Sequence, residues 1–100
     1  MKRKNGRDTK GACLSAEDQG VDLNRNYDIS WVALGEDQIC ESTYPGTAPF
    51  SEPETRTMRD FILEHKDTLK FIVNYHAFGN MLPIPYQAEN DGHVLTDKQE

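Results

Sequence analysis

FIVNYHAFGNMLPIPY, residues 71–86, decides the fold class. Phe71, Ile72 and Val73 form an apolar run rich in β-branched residues, the composition of a buried strand. Asn74 then breaks the apolar character, and Tyr75 and His76 fall where such a strand ends. Residues 77–80 make a small-residue turn, and a second apolar run at 81–86 leads away from it. The expected unit is strand–turn–strand over 71–86. A rigid sheet positions the groups at its strand ends, which is where functional side chains concentrate. His76 is so placed. On this stretch alone, however, the simpler reading is a strand-end histidine that only hydrogen-bonds.

Working upstream, residues 51–69 carry the signs of an amphipathic helix. Ser51 is a capping residue with Glu54 three positions on, the pattern of a capping box, and Pro53 is tolerated in a first turn. Glu52 and Glu54 suit the positive end of the helix dipole. Met58, Phe61, Ile62, His65 and Leu69 recur at helical spacing. His65 lies on or beside that stripe, a packing or surface position. A helix leading directly into a strand makes the fold class α/β, with a partial mixed β-sheet and flanking helices. Residues 1–50 read as mostly loop, with one short strand entering GVDLNRNY at 20–27. The long irregular loop at 28–50 is punctuated by Gly35, Pro45, Gly46 and Pro49. After Tyr86 the chain turns polar, and His93 is expected to be exposed.

One hundred residues allow one small domain or a piece of a larger one. Net charge is −6, yet Lys2, Arg3, Lys4, Arg7 and Lys10 cluster at the start. No aromatic residue is interleaved with them and the remainder is acidic, so a nucleic-acid partner is not expected and a solvated basic loop is the favoured reading. No apolar segment has the length of a membrane span, and no signal peptide is visible in the first residues. Cys13 and Cys40 permit one disulfide or two free thiols. If bridged, they stabilise the fold by roughly 3–4 kcal/mol.

No H-x-x-E, H-E-x-x-H, C-x-x-C, G-x-S-x-G or glycine-rich phosphate loop occurs. Spacing alone therefore supplies no closed metal site. Arg25, between Asn24 and Asn26, offers a guanidinium fork beside amide donors that can grip a carboxylate bidentately. By local sequence the favoured reading is instead a pair with Asp22 or Asp28.

Four blocks taken together carry a resemblance. They are RK at 3–4, GVDLNRNY at 20–27, Cys40 with Tyr44, Gly46, Phe50 and SEPET (51–55), and FIVNYHAFGN at 71–80. In this order they resemble the middle of the catalytic domain of the zinc metallocarboxypeptidases of the A and B type. The spacing also resembles the family's, apart from extra residues after Cys13. The resemblance covers nearly the whole chain and is weakest after Tyr86. It implies a hydrolase that removes C-terminal amino acids from peptides. His76 would be the third ligand of one Zn2+ ion. Asn24 and Arg25 would bind the substrate's terminal carboxylate, Arg3 would polarise the scissile carbonyl, and Asp22 would orient a zinc-bound histidine. Cys13 and Cys40 would form a disulfide. Ala77 and Phe78 depart from the Ser and Tyr usual near the outer subsites. The first two zinc ligands, the general-base glutamate, the substrate-covering tyrosine and the specificity-pocket floor fall outside the matched blocks. The chain is thus expected to be a partial domain, inactive alone. The expected protein is secreted and monomeric, with a peptide or protein C-terminus as substrate and neither a membrane nor a nucleic acid as partner. Two other readings are a degenerate member that binds peptide C-termini without cutting, and an aspartoacylase-like zinc amidohydrolase. The SEPET helix start and the C-x-x-x-Y-x-G loop fit the latter less well.

Overall fold

Among the described residues the longest regular element is the helix α1 (Pro53–His65). The computed structural model describes residues 2–9, 11–76 and 79. The second run of the 71–86 unit, the departures at Ala77 and Phe78, and the polar tail with His93 lie outside the described residues. The chain divides into two units, Met1–Leu69 and Lys70–Glu100.

Helix α1 starts where its proline dictates. Pro53 occupies the first turn, where its missing N–H is no loss, so the residue before it becomes the cap. Glu52 is that cap, in extended conformation (φ −95°, ψ 141°), and no side chain closes a capping box there. Ser51, expected as the cap, stands one residue outside, and its hydroxyl donates to the Glu52 carboxylate at 2.9 Å. At the other end the N–H groups of Thr68 and Leu69 both close on the His65 carbonyl, each at 2.9 Å. The His65 ring stacks on Phe61 with centroids 4.4 Å apart. Thr55 is the buried residue of the helix; Met58, Phe61 and Leu63 are exposed.

The expectation of a mixed α/β sheet is not met. Among the described residues there is one α-helix, with two 3-10 helices (Leu23–Arg25 and Glu36–Gln38), and no strand. At 20–27 the reason is local. The Asp22 side chain accepts the Asn24 N–H at 3.1 Å and turns the chain into the 3-10 helix just where a strand is expected. The flanking backbone bonds, Asn5 N–H to the Val21 carbonyl (3.0 Å) and Asp22 N–H to the Tyr44 carbonyl (2.8 Å), run to two different segments and form no ladder. At 71–76 the residues are exposed. A β-branched run becomes a strand only when neighbours pair with it, and none of the described residues does so.

The centre of the first unit is polar. Cys13, Val21 and Tyr44 are its buried apolar residues, beside buried Lys4, Asp22, Asn26, Glu52 and Thr55. Among the described residues no buried side-chain nitrogen or oxygen lacks a hydrogen-bond partner, which is the condition for such a centre to be stable. Cys13 and Cys40 are joined in a disulfide, with Cα atoms 5.5 Å apart. Gly46 has φ +88°, and a Cβ there would lie 2.7 Å from the Asn26 amide nitrogen and 2.4 Å from the Ser51 hydroxyl, so only glycine lets this backbone close on Asn26. Phe50 takes a left-handed φ of 54° without being glycine, a strain of about 1–2 kcal/mol. It is held by its N–H bond to the Asn26 carbonyl at 2.7 Å and by edge-on contact with Tyr27 at 5.6 Å. Among the described residues no helix is long and apolar enough to cross a membrane.

Candidate functional site

The 3-10 helix Leu23–Arg25 is a short turn fastened at both ends. At its start Asp22, almost wholly buried, caps it and is itself held by Arg3, whose Nε and Nη2 lie 2.8 Å and 2.6 Å from Oδ2. At its end Asn26 closes the turn through its own N–H to the Leu23 carbonyl at 3.2 Å. Between these posts the side chains of Asn24 and Arg25 face solvent. Arg25 has no ion pair with Asp22 or Asp28 among the described residues, because Asp22 is taken by Arg3. Instead Arg25 lines a cleft of about 320 Å³ with Ser30, Trp31, Val32, Leu34, Thr43 and Pro45. Trp31 is fixed there by its indole N–H, which donates to the Pro45 carbonyl at 3.3 Å. A guanidinium at a partly apolar opening suits a ligand with a carboxylate beside an apolar group.

Asn26 carries no motif signal of its own in the sequence, yet its side chain has five hydrogen-bond partners and is 0% exposed. Its amide nitrogen lies 2.7 Å from the Pro45 carbonyl, 3.0 Å from the Ala48 carbonyl and 2.8 Å from the Ser51 hydroxyl. Its amide oxygen accepts from the Glu52 N–H at 3.2 Å and the Thr55 hydroxyl at 2.7 Å. Two carbonyls on one side and an N–H on the other leave only one orientation of the amide.

Glu52 is a second residue that pattern alone does not reveal. Its carboxylate is 1% exposed and accepts from Asn5 Nδ2 and Arg7 Nη1, each at 2.8 Å, and from Ser51. Burial opposes its ionisation, but the hydrogen bonds from Asn5, Ser51 and Arg7 and the charge of Arg7 prevail and hold the carboxyl below its usual range. Lys4 is buried too. Its ammonium donates to the Asp18 carbonyl and to the Ile39 carbonyl, the latter at 2.7 Å, and sits over the Tyr44 ring. Burial lowers its pKa, against the opposing pull of Asp18, Asp22 and Glu41. The basic start is therefore a set of cross-links through Arg3, Lys4, Asn5 and Arg7, and not the solvated loop expected from charge alone. The signal available in the sequence is the set of cations around Asn5 at 3–7 facing an acidic remainder.

Among the described residues no group of three His, Cys, Asp or Glu is placed to hold a metal ion. His65 has its Nδ1 at 2.9 Å from the Phe61 carbonyl. His76 belongs to the other unit and is exposed. Within the first unit the structure brings Arg3, Asp22, Asn24 and Arg25 together.

Comparison with known proteins bears on the whole chain. A family model described as zinc carboxypeptidase matches residues 1–100. Bovine (Bos taurus) carboxypeptidase O is 43% identical over 68 residues, 67% of this chain and 18% of that protein. Mast cell carboxypeptidase A of Mus musculus is 39% identical over 88 residues, 86% of this chain and 20% of the relative. Carboxypeptidase B of Bos taurus is 35% identical over 81 residues, 80% of this chain and 19% of the relative. The chain spans about a fifth of the length of these relatives. No solved structure matches. With the family model running through every block from the basic segment to the His76 stretch, the chain belongs to the zinc carboxypeptidase family.

Proposed function

We propose that this chain is part of a zinc-dependent metallocarboxypeptidase that removes the C-terminal amino acid from peptides or proteins. The observation that carries the reading is the turn Leu23–Arg25. Its two exposed donor side chains stand on buried posts, and Arg25 opens onto a cleft with partly apolar walls. Asn24 and Arg25 bind the free terminal carboxylate, so that only a chain end is held productively. Arg3 approaches the scissile carbonyl. Its Nε and Nη2 are given to Asp22, which leaves Nη1 to donate to a developing oxyanion. Asp22 has a lone pair on Oδ1 beyond its bond to the Asn24 N–H, enough to accept from a histidine N–H as well. His76 is the third metal ligand and the other two come from sequence outside this chain. The described residues do not by themselves make a zinc site. The Cys13–Cys40 disulfide supports an extracellular setting.

The test uses the longest natural form of the protein. Zinc content is measured, and amino-acid release is followed from hippuryl-phenylalanine, hippuryl-arginine and their C-terminal amides. One zinc per chain, release from the free acids and none from the amides are expected. Binding of the free acids without zinc or release would establish a peptide-end binder instead of an enzyme.

A further inference from the structure

The buried hydrogen-bond centre behind the turn does more than hold the fold. We propose that Asn26 is a positioning residue for carboxylate recognition, setting the place of Asn24 and Arg25 without touching the ligand; this rests on the carboxylate-binding reading above. Asn26 directly follows Arg25, and its backbone and side chain are both fixed. Its N–H closes the turn and its carbonyl accepts the Phe50 N–H at 2.7 Å. Its side chain spans the Pro45 and Ala48 carbonyls on one side and the Glu52 N–H and Thr55 hydroxyl on the other. Two amide protons serve three acceptors, so the group is held by more partners than it can fully satisfy, and rotation in either direction breaks a bond. Pro45 is the shared element. Its carbonyl takes both the Asn26 amide at 2.7 Å and the Trp31 indole at 3.3 Å, and Pro45 and Trp31 line the cleft with Arg25. One amide therefore fixes the backbone beneath the guanidinium and the carbonyl to which the opposing wall is tied.

The minimal perturbation is Asn26→Asp, which preserves shape but turns an oxygen toward two carbonyls. Thr55→Val is the companion, removing one donor to the Asn26 oxygen at nearly constant volume. Binding of 3-phenylpropanoate is measured by calorimetry, with 3-phenylpropanamide as the control, and KM and kcat are measured on hippuryl-phenylalanine. Asn26→Asp weakens 3-phenylpropanoate binding and raises KM roughly tenfold to a hundredfold, the scale on which misplacing a binding group by about an ångström acts, and kcat stays within about twofold. Thr55→Val shifts both in the same direction by a smaller factor, which keeps the test decisive if Asn26→Asp does not fold. Unchanged carboxylate affinity in Thr55→Val or in folded Asn26→Asp, or a fall in kcat at constant KM, overturns the inference while leaving the carboxylate site standing. Wild-type protein that binds 3-phenylpropanoate no better than the amide overturns the site and the inference together.

Discussion

Replacing Glu52 by glutamine changes one terminal atom of a side chain that is 1% exposed, and the hydrogen bonds around it set the cost. Oε1 accepts from Arg7 and Ser51, at 2.8 Å and 2.9 Å, and Oε2 accepts from Asn5 at 2.8 Å. Glutamine keeps its oxygen toward Arg7 and Ser51, since turning it the other way sets two donors against its NH2. The Asn5 amide then faces another donor. One hydrogen bond to a carboxylate is lost and the Arg7 pair loses its charge. Arg7 is 56% exposed and can turn to water, so the loss lies below the figure for stranding a fully buried charge. Charge-assisted hydrogen bonds on this scale put the destabilisation at about 2–3 kcal/mol, roughly 30- to 150-fold in the folding equilibrium. The sign of the pH dependence is fixed by the direction of the shift. The folded-state pKa of Glu52 lies below its ordinary 4.5, so the unfolded chain takes up the proton first as pH falls. The stabilisation is complete above the unfolded pKa and is lost as pH drops through the folded one. Urea unfolding followed by circular dichroism at pH 7 and pH 3 checks both points. The gap between wild type and Glu52→Gln should be full at neutral pH and smaller in acid. A gap under about 0.5 kcal/mol at pH 7, or one unchanged in acid, refutes the argument.

Two further outcomes are expected. Arg25→Ala should weaken binding of 3-phenylpropanoate roughly tenfold or more and leave the urea midpoint unchanged, because the side chain is exposed and the posts at Asp22 and Asn26 are intact. Arg25→Lys should recover only part of the loss, lacking the bidentate fork, and equal affinity in all three proteins would exclude Arg25 from the site. Reducing the Cys13–Cys40 bridge, which closes a loop of sequence separation 27, should destabilise the first unit by about 3–4 kcal/mol in urea unfolding. An unchanged midpoint after complete reduction, verified by thiol labelling, would show that the bridge contributes nothing.

Helix α1 is legible in the sequence because 3.6-residue periodicity is a local signal, and its start is within reach as well, since Pro53 identifies Glu52 as the cap. The strands mislead for the opposite reason. Ile72 and Val73 prefer extended backbone, but a strand is a property of a pair of segments, and GVDLNRNY is diverted by the Asp22 side chain acting on its own neighbour. The donors Asn24 and Arg25 stand out because adjacent amide and guanidinium groups suit a carboxylate. Asn26 belongs to the same three letters and does not stand out, because its side-chain partners at Pro45, Ala48, Ser51, Glu52 and Thr55 lie between 19 and 29 residues further along. The basic segment misleads in a similar way. Net charge suggests solvent, but each cation of the Arg3–Lys4–Arg7 set has a specific acceptor elsewhere in the chain.

The double fastening of Leu23–Arg25 separates two duties that usually share the same residues. Backbone placement is the work of positions 22 and 26, and the proposed function gives recognition to positions 24 and 25, whose side chains are exposed. If recognition lies there, exchanging residues 24 and 25 alone should alter ligand preference. A library confined to those two sites samples new terminal groups on an intact frame, whereas randomising 22 or 26 samples mostly unfolded protein. The turn behaves as a mount whose fitting is interchangeable.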